Sequence, residues 1–408
     1  MIWIGLGVAE ITVAALLNVW TVARLSPDGD LQPFTVAAVW LFDVGMMTLG
    51  VVTILYRRKE WVRNLYVSLT SLVILSPPAG EIFLRAMIAM RHPAFSKPEL
   101  YAENQGDDLY WQMAYHWTTS WRPATPERVH PTLGWSQAPV TPENPLGLEE
   151  DTRLRLNDHG RKILFYGDSF VKGGSDPEYH IPRYVDDRMA DTDVLDLGVG
   201  GYGTDQIYLM FEGTYRLAGA KPDIVMGTLI EDMDRAVLTL RTSQKPYFRL
   251  SNDGSLELKG LPIARDQEAY YDERPPRPFS YLIRYFSHNW NPWTSDIPAN
   301  YGLIRDINGR IIDQVAIACR ASGLKLLYVI FYGQLELTDT TWRETLLKQE
   351  LEKRVIPYLD TKPVLLAYAR EKGLPLSALY VPDGHHNNLG NQVIAEAILG
   401  LYSEDTVR

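Results

Sequence analysis

Near its amino terminus the chain has three long stretches almost free of charge, and they limit what it can fold into more than any other feature. Residues 1–25 carry only Glu10 and Arg24, residues 34–56 carry only Asp43, and residues 64–80 form a third apolar run ending in Pro77-Pro78. A helix rises about 1.5 Å per residue and needs about 20 apolar residues to cross some 30 Å of hydrocarbon. Residues 1–90 are therefore expected to form about three transmembrane helices in a lipid bilayer. The third run is the shortest, and its continuation through Glu81 to Met90 would be a tilted or interfacial turn. A cleaved leader would start basic and hold a single short apolar core. Here the start is not basic and the runs follow one another. Arg57, Arg58, Lys59 and Arg63 fill the second loop, whereas the first holds Arg24, Asp28 and Asp30. Positive charge stays in the cytoplasm, so everything after about residue 90 is expected on the periplasmic or extracytoplasmic side. Glu10 and Asp43 each cost about 2.5–3.5 kcal/mol inside a span, so each should face protein: a polar cluster for a partner or lipid-linked substrate, or, since no Lys or Arg lies at matching depth, interhelical hydrogen bonding.

Residues 91–155 change character. Pro93, Pro98, Pro123, Pro126, Pro131, Pro139, Pro142 and Pro145 forbid long helices. Tyr110, Trp111, Trp117, Trp121 and Trp135 argue against a bare tether. This segment reads as a partly ordered stalk, and residues 156–408 as a separate domain. A net charge of −10 argues against nucleic acid as a partner, since phosphate contacts need clustered Lys and Arg. The single cysteine, Cys319, makes neither an internal disulfide nor a cysteine zinc site, and reads as a core residue.

From residue 160 short apolar runs alternate with helical stretches. Lys162–Tyr166, Asp193–Leu197, Asp223–Leu229 and Lys325–Tyr332 read as strands, with Leu376–Tyr380 as a fifth; Ile304–Ser322 and Leu346–Val355 read as helices. That alternation predicts an α/β fold, a parallel sheet covered by helices on both faces in three α/β/α layers. Ligands of such sheets bind at the carboxyl ends of the strands. Residues 251–300, with Trp290 and Trp293, fall between strands, where a lid or specificity loop is expected.

Three motifs follow strand ends. Gly167-Asp168-Ser169 comes directly after the first, placing a serine where a helix begins and where its own N–H can face an oxyanion. Asp196-Leu-Gly198-Val-Gly-Gly201 follows the second. It lacks both the Rossmann position and a Walker Gly-Lys-Ser/Thr. Asp383-Gly-His385-His386-Asn387 precedes an apolar helix at Val393–Leu401. A carboxylate two or three residues from a histidine can hold the imidazole in the tautomer of a general base. Adjacent histidines rarely ligate one ion on a regular element, so no metal is expected; chemistry run by a serine and its base needs no organic cofactor either. Gly-x-Ser-x-Gly, the elbow of the α/β-hydrolases, is absent around Ser169.

Together and in this order, the motifs resemble those of the SGNH/GDSL hydrolase superfamily over about residues 160–402. The resemblance implies the flavodoxin-like SGNH fold, with Ser169 as nucleophile, Gly201 as an oxyanion donor beside the Ser169 N–H, and Asp383 with His385 as acid–base partners. It selects His385 on the His-x-Asn pattern, while the longer spacing of that block would select His386. The superfamily's third block supplies an Asn that donates to the oxyanion. Here the stretch reads Ile230-Glu231-Asp232-Met-Asp234-Arg235, so Glu231 and Asp232 stand where a donor is expected. A subset of the superfamily carries a similar Asp-x-x-Arg block with a downstream Lys-Pro-Tyr-Phe, here Lys245–Phe248. The expected function is a membrane-anchored serine esterase or deacylase acting on acyl esters at the cell envelope. The alternative is a non-catalytic subunit working with membrane protein partners.

Overall fold

The computed structural model describes residues 2–24, 33–119, 121–156, 158, 160–219, 221–289, 297–298 and 300–404. Asp28 and Asp30 of the first loop, and Trp290 and Trp293, lie outside these. Packing divides the chain into residues 1–102 with 276–298 and residues 103–275 with 299–408. These limits differ from the sequence boundaries at 90 and 155.

The first unit holds α1 (Ile2–Leu16), α2 (Pro33–Tyr56) and α3 (Glu60–Ala89). Two of the three expected spans reach membrane length. α1 has 15 residues, about 22 Å at the helical rise. It stops because Asn18 breaks the run: its side chain accepts from the N–H groups of Trp20 and Thr21 and starts a second helix, Val19–Ala23. α2 has 24 residues and α3 has 30, and both are apolar enough to span. α3 does not end at Pro77-Pro78 but runs through both to Ala89 as one helix. Glu10 is a link between helices: the Tyr66 hydroxyl on α3 donates to both its carboxylate oxygens, at 2.5 and 2.7 Å, and also meets Thr53 of α2. The helix Tyr281–Asn289 belongs to this unit.

The second unit is built on five parallel strands: β1 (Arg161–Gly167), β2 (Thr192–Gly198), β3 (Asp223–Leu229), β4 (Leu326–Phe331) and β5 (Tyr358–Asp360). Their order is 2-1-3-4-5, the flavodoxin-like arrangement of a doubly wound sheet. β1 and β3 are buried along almost their whole length, as strands covered on both faces must be. The fifth strand is not Leu376–Tyr380, of which Leu376–Leu379 forms a 3₁₀ turn entered from Pro375. The edge position is taken by the three residues Tyr358–Asp360, paired with β4. Helices Thr204–Thr214, Tyr301–Ser322 and Trp342–Lys353 pack together, and Ile181–Asp186, Thr361–Lys372 and Asn388–Glu404 form a second group. Cys319 is buried, as expected. In this order the chain reverses direction between β1 and β3, and that crevice is where doubly wound sheets bind ligands.

Candidate active site

Gly167 ends β1 and has no room for a side chain: a Cβ there would lie 2.4 Å from Val171 Cγ2 and 2.7 Å from the Gly227 carbonyl oxygen. The chain therefore turns sharply, and Asp168 caps the short helix Ser169–Lys172 by accepting from the Phe170 N–H at 2.8 Å. This leaves Ser169 partly exposed at the carboxyl end of β1.

The Asp383–Asn387 turn comes from the other end of the domain. Val381 N–H donates to the His385 carbonyl at 2.8 Å, Asn387 N–H to that of Leu379 at 3.0 Å, and the Asn387 side chain accepts from Gly390 N–H at 3.0 Å. Asn387 thus caps the last helix and fixes the turn before it. His385 reaches Ser169 as a result: its Nε2 lies 2.7 Å from Ser169 Oγ and its Nδ1 3.0 Å from Asp383 Oδ1. With Nδ1 protonated toward Asp383, Nε2 is left as acceptor for the serine hydroxyl. The imidazole is tilted over Phe170, ring centres 5.1 Å apart. Burial alone would raise the Asp383 carboxyl, but hydrogen bonds from the His385 backbone and ring outweigh it and hold the group below its ordinary range.

His386 does something else. It is 2% exposed, and neither ring nitrogen has a hydrogen-bond partner among the described residues. Phe170 and Tyr380 lie with ring centres 4.9 Å away, and Phe331 6.0 Å away. Burial, with the neighbouring His385, pushes its pKa down to about 3. Unfolded, the group titrates near 6.5. Between those pH values the unfolded chain binds a proton that the folded chain refuses, so stability is lost as pH falls from about 6.5, by about 1.4 kcal/mol per pH unit. His386→Leu is expected to keep any ester hydrolysis within about twofold, and its melting temperature should fall less than that of the wild type between pH 7 and pH 5. An equal acid shift in both proteins would contradict this.

The glycine loop after β2 is held from the segment read as a stalk. Gln137 donates to the Gly198 carbonyl at 2.7 Å, and the Trp135 indole N–H to that of Gly200 at 3.0 Å. Carbonyl and N–H lie on opposite edges of a planar trans peptide, so the Gly201 N–H points away from Trp135. Gly201 has φ +81°, open to glycine at little cost. A Cβ on Gly200 would sit 3.8 Å from that of Ser169. Among the described residues, no hydrogen-bond acceptor is found for the N–H of Ser169 or of Gly201. Both are free to donate to an oxygen developing charge.

The acidic block after β3 is turned inward. Asp232 and Asp168 are fully buried and share one cation: Arg235 Nη1 donates to Asp232 Oδ1 at 2.6 Å and to Asp168 Oδ2 at 3.0 Å, and also to the Tyr202 carbonyl at 3.2 Å. Burial and the neighbouring Asp168 push the Asp232 carboxyl well above its ordinary range, against the pull of Arg235. Glu231, partly exposed, accepts from Gln105 Nε2 at 2.8 Å; burial raises it, with Arg235 opposing. The block itself, residues 230–235, holds no Asn. Lys245 of the Lys-Pro-Tyr-Phe stretch is fully buried against Asp205, and its Nζ donates to the carbonyls of Arg235 and Leu238 at 3.1 and 3.2 Å. That pair fastens the segment after Arg235 to the helix that follows the glycine loop.

Sequence reasoning did not single out Gln105 or Gln137, and it named Trp135 only as a stalk aromatic and Asp168 only as part of the Gly167-Asp168-Ser169 motif; all four brace the site. Only the Asp232–Arg235 spacing, one helical turn, was a signal. Among the described residues no group of three His, Cys, Asp or Glu side chains is placed to hold a metal ion.

No family model matches the chain, and neither does any curated protein. Solved structures do. A two-domain esterase active on acetylated mannans is 11% identical with a TM-score of 0.37, over 61% of this chain and 51% of that one. The chain thus spans about half the length of that esterase. A member of the lipolytic G-D-S-L family from Veillonella parvula is 13% identical with a TM-score of 0.32, over 60% of this chain and 98% of that one. An acetylxylan esterase from Geobacillus stearothermophilus is 14% identical with a TM-score of 0.33, over 60% and 94% respectively.

Proposed function

We propose that this chain is a membrane-anchored serine esterase or deacylase of the SGNH type, acting on O-acyl esters of an envelope polysaccharide or lipid. The observation that carries the reading is the relay Ser169–His385–Asp383, with its 2.7 and 3.0 Å steps. Ser169 Oγ attacks the ester carbonyl while His385 Nε2 takes its proton. The N–H groups of Ser169 and Gly201 donate to the oxyanion, and His385 returns the proton to the leaving alcohol. Water then cleaves the acyl-enzyme with His385 as base, releasing the acid. A sugar hydroxyl in place of water would make the same site an O-acyltransferase. The two long apolar helices and the basic Arg57–Arg63 loop support an anchor with the second unit on the extracytoplasmic side. The rival reading, a non-catalytic subunit, draws on one observation: Glu231 and Asp232 stand where an Asn donor is expected.

Labelling of the detergent-solubilised protein with a fluorophosphonate separates the two. Expected is covalent labelling of the wild type that disappears in Ser169→Ala and His385→Ala. A wild type that stays unlabelled would leave the subunit reading in place.

A further inference from the structure

The helix Tyr281–Asn289 is built onto α3 by its own amino terminus. Ser280 Oγ accepts from the Ile283 N–H at 3.0 Å, and Glu81 of α3 accepts from the N–H groups of Tyr281 and Leu282 at 3.2 and 2.9 Å. Ser280 Oγ also donates to Glu81 at 2.8 Å. The first turn of one helix is thus capped by a carboxylate from another, which satisfies its free donors and opposes its positive end. Arg85 pairs with Glu81 at 2.6 Å and donates to the Phe279 carbonyl at 3.3 Å. Leu282 packs over Gly80. At the far end Asn289 donates to the Leu100 carbonyl at 2.7 Å, and Tyr281 meets Tyr101 edge-on. The inner face of this helix is therefore fixed.

The outer face is covered by none of the described residues. Phe279 is 93% exposed, Ile283 58% and Phe286 50%. Ile283 and Phe286, three residues apart, share one side of the helix, and Phe279 lies just before its first turn. Next to the clamp on α3, Ile82 and Phe83 are also exposed.

The height of the clamp decides what covers this face. Between Arg63 and Glu81, α3 carries no charged residue. Its full length of 30 residues is about 45 Å, some 15 Å more than the hydrocarbon core. Counting about 20 residues from Glu60, beside the basic loop, brings the far boundary of the hydrocarbon to Gly80–Glu81. Phe279 lies at that level, its carbonyl held by Arg85, and Ile82 and Phe83 of α3 are exposed beside Glu81.

We infer that the Phe279–Asn289 segment is a second membrane contact, an interfacial helix whose Phe279, Ile283 and Phe286 enter the outer leaflet while Glu81 and Arg85 hold it at the boundary. Its occupant is lipid, and it joins the bilayer through residues far in sequence from the spans. The inference rests on the anchoring proposed above.

The test uses the full chain with Cys319→Ala, reconstituted in phosphatidylcholine–phosphatidylglycerol vesicles. A single cysteine carrying the fluorophore NBD is placed at Ile283, Phe286 or Leu72, the last being an exposed position about 12 Å below Gly80 along α3. Lipids with a doxyl quencher at acyl carbon 5 or 12 report depth. Expected is quenching at Ile283 and Phe286 at least about twofold stronger with the shallow quencher, and the reverse order at Leu72. Quenching at Leu72 but at neither Ile283 nor Phe286 overturns the inference and leaves the anchor standing. No quenching at any of the three positions overturns both.

Discussion

Ser169→Ala is expected to lower kcat/KM for a simple ester such as p-nitrophenyl acetate by about four orders of magnitude, with His385→Ala as severe and the double variant no worse. The serine and its base work as one unit, so removing either removes the covalent route. The drop is set at the lower end of what such sites show for a structural reason. One oxyanion donor is worth about 3 kcal/mol, roughly a hundredfold in rate. With Glu231 and Asp232 in the block that would hold an Asn, the wild type starts lower and has less to lose. Asp383 should matter less than either partner. Its side chain is 69% exposed, and solvent screens its support of the imidazolium. Asp383→Asn is therefore expected to cost about 10- to 100-fold, well short of the roughly 10⁴-fold seen where the triad carboxylate is buried. Steady-state rates of the four variants check the ranking. Activity of Ser169→Ala within tenfold of the wild type would sink the assignment, as would a mild His385→Ala beside a severe Ser169→Ala.

What the sequence made legible follows from where information is local. Strands β1, β3 and β4 stand out because burial forces nearly unbroken apolar runs, and β2 because Val194, Leu195 and Leu197 are buried. β5 does not, because Tyr358–Asp360 is a short edge with no such demand, and the more apolar Leu376–Tyr380 drew the assignment instead. The motifs holding Ser169, Gly201, Asp383 and His385 stand out because each sits within a few residues of a strand end or a helix start, and the fold brings His385 within hydrogen-bond distance of both Ser169 and Asp383. The choice between His385 and His386 was not readable from spacing alone. It depends on which ring faces Ser169 and which enters the cage of Phe170, Tyr380 and Phe331, and that is decided by the Tyr380–His386 bridge and the Asn387 cap. The least legible part was the acidic block. A sequence shows that Asp232 carries charge, but not that Arg235 is shared with Asp168, 67 positions away. Nor does it show that Trp135 and Gln137, among the prolines, grip the glycine loop. In the same way Asn18 cut the first apolar run short, where hydropathy alone reads straight through it.

Arg235→Met is expected to destabilise the second unit by about 3–5 kcal/mol, the usual cost of removing one partner from a buried ion pair. For a unit of about 280 residues, whose unfolding entropy is about 0.6 kcal/mol/K, that is a fall of about 5–8 °C in melting temperature. Methionine fills much of the volume, so the loss is electrostatic: Asp168 and Asp232 would remain fully buried with no cation between them. The sign of the pH dependence follows. Burial and Asp168 already push Asp232 well above its ordinary range, and without Arg235 nothing opposes them. Above about pH 4, where an unfolded carboxyl loses its proton, the folded variant holds protons that the unfolded chain has released. Stability is then fully present below that pH and falls as pH rises, so the gap to the wild type should be wider at pH 8 than at pH 5. Arg235→Met with Asp232→Leu should recover more than half of the loss, because the second change removes one of the two stranded carboxyls. Thermal unfolding of the three proteins in detergent at both pH values tests the argument. A gap that narrows as pH rises, or a double variant less stable than Arg235→Met alone, would mean that the Asp168–Arg235–Asp232 cluster does not hold the floor of the site.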